Sequence, residues 1–384
     1  MSNRPVYLDN AATTYPKPES VYTAMDDFYR RHGGNAGRGS NPLARKSAAL
    51  LDETRLLVAR WLDAPHAVFA ASATMALNTA ILGAGLRAGD IVYTTPFEHN
   101  SVLRPLEYLR QSRGIDLRVL PFDKLTFSCD VDAIEQHFQL DKPVLVCLTQ
   151  VSNVSGYMPP VERILQAARA ANPAVITLVD GAQAAGLVSV DMSHIDVLVF
   201  SGHKSLYGPY GIAGIAFGSD WRPQPLLFGG TGTVSESIEM PAAGPSRLEA
   251  GSHNVCALAG LNAAVKWLNK TGRDAIHTRI ADLTSRLIGA LGAMPGVEML
   301  LPADMSRHHG VVSFTVDGVE PQALETVLGA QNIAARAGLH CAPWAHEFMG
   351  TLARGGTVRV SPGHFNLTDD VNILTNCICE AKGM

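Results

Sequence analysis

The chain has 384 residues, of which 47% are hydrophobic and 17% charged, so it can bury two cores or one large one and is not a disordered polymer. Its formal net charge is −4 and it carries no basic block, which argues against nucleic acid or an anionic membrane as the main partner. The first residues lack the apolar core of a signal peptide, no apolar run reaches the length of a membrane span, and the six cysteines form neither a disulfide framework nor a CxxC zinc pattern, so no metal is expected and a reducing cytoplasm is.

In chain order, a helix is expected over 42–62, where Leu43, Leu50 and Leu57, with Leu51 and Val58 beside them, recur at heptad spacing. Short apolar runs at 67–71, 90–94, 117–121, 143–149, 175–180, 196–201 and 212–217 read as strands. Several are apolar at consecutive positions, which suits a mainly parallel sheet covered on both faces. Helical stretches at 74–86, 101–113, 131–138 and 161–171 lie between them, so the pattern is βα units in an open α/β sheet. After the Gly/Pro-rich stretch 228–245 the style changes. A long helical pattern, straight or bent, runs over 255–294. It is followed by a strand at 311–316, a helix at 321–330, strands near 333–336 and 357–361, and a terminal helix at 369–381. The expected organisation is a large domain over 15–250 with a mainly parallel seven-stranded sheet, and a smaller α+β domain made of 1–14 and 251–384.

Chemistry gathers after the strands. Lys204 lies in Ser201-Gly202-His203-Lys204-Ser205, just past the apolar run 197–200. A lysine hemmed in this way suits a buried amine that holds an aldehyde cofactor as a Schiff base, and the alternative is a loop cap. Asp180 closes another apolar run, where a carboxylate can pair with a pyridinium nitrogen or simply cap a helix. The pair points to pyridoxal 5'-phosphate. Its phosphate needs a helix N-terminus with hydroxyls, which Ser72-Ala73-Thr74 offers as a strand-to-helix turn without GxGxxG; an ordinary N-cap is the alternative. Ser201 and His203 are further donors. His99 can stack on the ring and handle protons, and Asn153 or Gln183 can reach the phenolic oxygen. Each follows a strand, where open α/β sheets bind ligands.

The segments Tyr7-Leu8-Asp9-Asn10-Ala11-Ala12-Thr13, Ala73-Thr74, Glu98-His99-Asn100-Ser101, Ser152-Asn153, Asp180-Gly181-Ala182-Gln183, Ser201-Gly202-His203-Lys204, Arg247-Leu248-Glu249-Ala250-Gly251-Ser252, Arg336-Ala337-Gly338-Leu339-His340-Cys341-Ala342 and Arg359-Val360-Ser361 span nearly the whole chain. In that order they resemble the class V enzymes of the pyridoxal-phosphate aminotransferase fold. Within them the chain is similar to group II cysteine desulfurases, the branch that also holds selenocysteine lyases. The resemblance implies fold type I, a homodimer, L-cysteine as substrate and a sulfur-acceptor protein as partner. It implies Cys341 as the nucleophile that takes up sulfur and Arg359, with Asn10, on the substrate. It also implies a cross-subunit phosphate contact from Ser252. A guanidinium grips a carboxylate with two parallel hydrogen bonds, and a thiolate attacks sulfur. Three departures stand out: Met75 where an acid is common, Ser252-His253 in place of Thr-Pro, and Phe365 in place of Tyr. Rivals are a selenocysteine lyase or a cysteine/cystine C–S lyase on the same frame, and a non-catalytic scaffold for a sulfur-transfer partner.

Overall fold

Strand and helix alternate from the first residues of the computed structural model, which describes 4–36, 39–189, 191–218, 221–233 and 235–381. The order is β1 (Val6–Tyr7), α1 (Glu19–His32), α2 (Pro42–Trp61), β2 (His66–Ala70), α3 (Ala73–Leu82), β3 (Ile91–Thr94), α4 (Asn100–Arg113), β4 (Asp116–Val119), α5 (Val131–Asp141), β5 (Leu145–Thr149), α6 (Val161–Ala171), β6 (Ile176–Asp180), β7 (Val197–Ser201) and β8 (Ala213–Phe217). Then come α7 (Val255–Thr271), α8 (Arg273–Gly292), β9 (Val297–Met299), β10 (Val312–Val316), α9 (Pro321–Ala330), β11 (Ile333–Ala334), β12 (Arg336–Gly338), α10 (Pro343–Phe348), β13 (Thr357–Val360) and α11 (Thr368–Ala381).

The seven-stranded sheet runs β2-β8-β7-β6-β5-β3-β4. Pairs from β4 to β7 are parallel, and β8 is antiparallel to both β7 and β2. The strand β2 therefore points the same way as β7. The C-terminal ends of β2, β3, β5, β6 and β7 all meet at one edge, where ligands of open α/β sheets sit. The strands β5 and β7 are buried at every position because helices cover both faces. One face packs α2, α5, α6 and α7, and the other packs α3 and α4.

The long helical pattern over 255–294 is two helices, because Gly272 takes φ +87° and ends α7. The first helix buries Leu258, Leu261, Val265 and Leu268 in the core of the large sheet, where each leucine contributes about 2 kcal/mol. The change of style at 228–245 therefore does not mark the edge of that core. Beyond it a four-stranded antiparallel sheet, β12-β13-β10-β9, packs on α8, α9 and α11. The N-terminal strap joins this second lobe: β1 pairs with β11, and Asp9 bridges to Ser361 just past β13. A cluster of Phe97, Phe127, Tyr157 and Phe348 fixes α10 against the large lobe. Among the described residues, no helix is long and apolar enough to cross a membrane.

Candidate active site

Lys204 follows β7 in a turn held from two sides. Gly186 donates to Ser205 Oγ, and a Cβ on Gly186 would come within 1.9 Å of the Ser205 carbonyl oxygen, so only glycine allows the approach. From the other side the His203 carbonyl accepts from Thr14 N at 3.1 Å, Thr13 Oγ1 at 2.9 Å and Lys17 Nζ at 2.7 Å. The backbone beside the Lys204 amine is thereby fixed. Burial lowers the Lys204 amine to about 8, and the nearby Asp180 carboxylate acts in the opposite direction. Asp180 ends β6 and is buried. Burial raises its carboxyl, while the Ala182 N–H and the Lys204 charge pull it back.

One cavity of about 120 Å³ is lined by Ala73, Thr74, His99, Asn153, Asp180, Gln183, Ser201, His203 and Lys204. Its floor is the N-terminus of α3, where Ser72 caps the helix by accepting from Met75 N and Thr74 Oγ1 meets Ser101 Oγ at 2.8 Å. Two buried polar atoms on the wall, Ser201 Oγ and His203 Nδ1, have no partner among the described residues. Unmet donors beside free helix N–H groups fit a phosphate. The His203 ring stacks on Tyr210, with centroids 4.5 Å apart.

His99 caps α4. Its Nδ1 accepts from Ser101 N at 3.0 Å, so the ring proton is assigned to Nε2. Burial first, then the charges of Lys204, Arg359 and Arg104, lower it to about 4, and it is neutral at neutral pH. Two amides expected on the cofactor bond the protein itself. Asn153 Nδ2 donates to the His340 carbonyl at 2.7 Å, and Gln183 Nε2 to the Ala11 carbonyl at 2.9 Å.

The second lobe supplies the other wall. Arg359 on β13 is buried. Its Nη1 donates to the Asn153 carbonyl and its Nη2 to Asp9, and its Nε–H has no partner among the described residues. A buried guanidinium N–H of this kind can donate to a carboxylate. Asn10, expected on the substrate, braces the strap: its side chain bonds the Tyr7 and Ser361 carbonyls and Asn366. Cys341 and His340 both take the left-handed conformation, at φ +57° and +48°. Such geometry costs about 1 kcal/mol or more per non-glycine residue. It is offset by Asn153 on the His340 carbonyl and by Asn100 N on the Cys341 carbonyl, each at 2.7 Å. The turn leaves Cys341 exposed, whereas Cys147 and Cys377 are buried. Burial raises the thiols of Cys129 (to about 11), Cys147, Cys256 and Cys377.

Sequence reasoning assigned no role to Lys17, Asp9 or Glu98. Glu98 is fully buried; its Oε1 accepts from Thr95 Oγ1 and Thr149 N, and burial raises it to about 8. Its place beside His99 in a quoted segment was the available signal. Ser252 does not line the Lys204 cavity but lines a separate one with Ala71, Met75 and Glu249. His253, a departure from the family pattern, bonds Glu249 Oε2 at 3.0 Å; Glu249 also takes a two-pronged ion pair from Arg55. A larger apolar hollow of about 360 Å³ opens at the β2 edge beside Trp221 and Phe217, but Lys204, Asp180 and Cys341 do not line it.

Residues 6–374 match the family model for aminotransferase class-V. A probable cysteine desulfurase of Pseudomonas aeruginosa is 35% identical over 385 residues, covering 95% of this chain and 90% of that protein. Another, from Methanothermobacter thermautotrophicus, is 31% identical over 390 residues, covering 99% and 95%. Among solved structures, the apo cysteine desulfurase of Thermococcus onnurineus superposes with a TM-score of 0.92 at 30% identity, covering 100% of this chain and 96% of that one. The cysteine desulfurase CsdA of Escherichia coli, in an S-sulfonic acid form, gives 0.85 at 31% identity, covering 99% and 95%.

Proposed function

Because the chain belongs to the aminotransferase class-V family, in company with cysteine desulfurases along its whole length, we propose that it converts L-cysteine to L-alanine with pyridoxal 5'-phosphate and captures the sulfur on Cys341. The observation that carries this reading is the convergence of Lys204 and Asp180 from the large lobe with Arg359 and Cys341 from the small one. Lys204 would hold the cofactor, Asp180 its ring nitrogen, and the α3 N-terminus with Ser201 and His203 its phosphate. When bound, the cofactor supplies an electron sink that makes the substrate Cα–H acidic.

The chain's own groups do the rest. Arg359 orients the amino acid through its free Nε–H. Lys204 Nζ, with its affinity for protons lowered toward neutrality, takes the proton from Cα and returns one. Neutral His99 presents Nε2–H as a donor to the cavity. The Sγ of Cys341, as thiolate, attacks the substrate sulfur. An S–S bond forms, the Cβ–S bond breaks, and its electron pair stays on carbon and is protonated, so alanine leaves and Cys341 carries a persulfide. Exposure of Cys341 suits transfer of that sulfur to an acceptor protein or thiol. The assembly we propose is a homodimer, in which Ser252 reaches the partner's phosphate cup. Exposed Leu227, Phe228 and Ile238 are apolar surface for that contact.

Product analysis tests the activity. The cofactor-loaded protein with L-cysteine and a thiol reductant should release alanine and sulfide in equal amounts. Pyruvate with ammonia in place of alanine would instead make it a C–S lyase, and turnover of selenocysteine alone a selenocysteine lyase.

A further inference from the structure

The protein grips His203 from two directions. On the strap side its carbonyl accepts from Lys17 Nζ at 2.7 Å, Thr13 Oγ1 at 2.9 Å and Thr14 N at 3.1 Å. The same ammonium donates to Thr14 Oγ1 at 2.7 Å and to Thr13 Oγ1 at 3.3 Å, so its three N–H groups all end on the strap and this turn. Thr14 Oγ1 in turn reaches the Lys204 carbonyl at 3.1 Å. The ring of His203 is held separately. Tyr210 lies over it with centroids 4.5 Å apart and planes inclined by 26°, and among the described residues this stack is the only ring contact of Tyr210. Tyr210 is 64% exposed, so it adds nothing to the core. Burial first, then the charges of Lys204 and Lys17, lower His203 to about 3, and its imidazole is neutral at neutral pH. A neutral imidazole has a single N–H to give. It serves an anion in the cavity only while the ring plane is kept with the buried, unmatched Nδ1 on the wall. Stacking on an aromatic face keeps that plane. The Lys17 charge, felt at the His203 ring, adds an attraction that a dianion receives and an uncharged ligand does not.

We propose that Lys17 and Tyr210 are positioning residues of the phosphate cup: Lys17 fixes the backbone of His203 from the strap, Tyr210 fixes its ring, and together they give the cup its grip on the cofactor's phosphate. Neither lines the cavity, so both act through His203. This rests on the reading of His203 as a phosphate donor.

The test is equilibrium dialysis of the cofactor-free protein against two aldehydes that differ only in the phosphate, pyridoxal 5'-phosphate and pyridoxal. Both condense with Lys204, so a disturbed fold or a displaced amine weakens both and leaves the ratio of their affinities alone. A merely structural role therefore does not move this readout. The preference for the phosphorylated aldehyde should fall by about tenfold in His203→Ala, the scale of one hydrogen bond to a charged group, and by at least about threefold in Tyr210→Ala and in Lys17→Met. Tyr210→Phe keeps the ring and should keep the wild-type ratio. Tyr210 stands at the surface, so Tyr210→Ala leaves the core intact even if Lys17→Met unfolds the strap. A wild-type ratio in Tyr210→Ala or in folded Lys17→Met, beside a lowered one in His203→Ala, overturns the proposal. So does a Tyr210→Phe ratio as low as that of Tyr210→Ala. If His203→Ala itself keeps the wild-type ratio, the phosphate assignment falls and takes the proposal with it.

Discussion

Asp180 has its carboxyl raised by burial and drawn back by the Ala182 N–H and the Lys204 charge. A positive ring nitrogen in that place would add a stronger attraction and keep the carboxylate ionised. Replacing Asp180 by Asn removes the negative charge but hardly the shape. Turnover of L-cysteine should then fall by about a hundredfold or more, with cofactor still bound, because the ring nitrogen is no longer held protonated. An Asp180→Asn rate equal to wild type would show that Asp180 is not the acidic partner. The residues that bracket this pair were legible in the sequence because they follow apolar runs: Asp180 after 175–179, Lys204 after 197–200, His99 after 90–94. Roles decided by partners far along the chain were not. Asn10, expected on the substrate, braces Ser361 and Asn366, and Asn153, expected on the cofactor's phenolic oxygen, holds the Cys341 turn through the His340 carbonyl. Lys17, between two prolines, carries no local signal of a role, yet it is bound to the His203 carbonyl, and burial lowers its amine to about 7.

Glu98 joins elements that the sequence shows only separately. It follows β3, and its Oε1 accepts the N–H of Thr149 at the end of β5, so the loop that carries His99 is fixed to the neighbouring strand. Burial raises Glu98 from 4.5 to about 8. Between those values the folded protein keeps a proton that the unfolded chain has released, so stability contributed by Glu98 is complete below 4.5 and is lost as pH rises through about 8. Glu98→Gln should flatten this part of the melting-temperature profile. The same fall in the variant would assign the slope to other groups. The helix boundaries carry a similar lesson. The apolar pattern over 255–294 continues through Gly272, whose left-handed φ divides it into α7 and α8. The helix α1 left no periodic signal because Val21 is its one buried side chain. The short helix α10 is set by Phe348 docking on Phe97, a contact across lobes that no local pattern encodes.

At the scale of the whole molecule, two lobes with separate cores present their reactive groups to one another. The sheet edge of the first brings Lys204, Asp180 and His99. The second brings Arg359 on β13 and Cys341 on the turn after β12, joined to the first through Asn153 and Asn100. The parallel sheet and the chain order of the motifs were readable before any coordinates, because buried strands leave consecutive apolar runs. The turn that exposes Cys341 was not, since bonds from Asn153 and Asn100 of the other lobe hold its two left-handed residues. Capture of sulfur on that turn is the central claim, and trapping the persulfide tests it most directly. The cofactor-loaded protein, incubated with L-cysteine and then with an alkylating tag, should carry the extra sulfur on Cys341. Cys341→Ser should carry none and release no alanine unless a thiol is added, because a hydroxyl near neutral pH is no substitute for a thiolate. Extra sulfur on any of the other five cysteines, or undiminished alanine from Cys341→Ser without added thiol, would contradict the account.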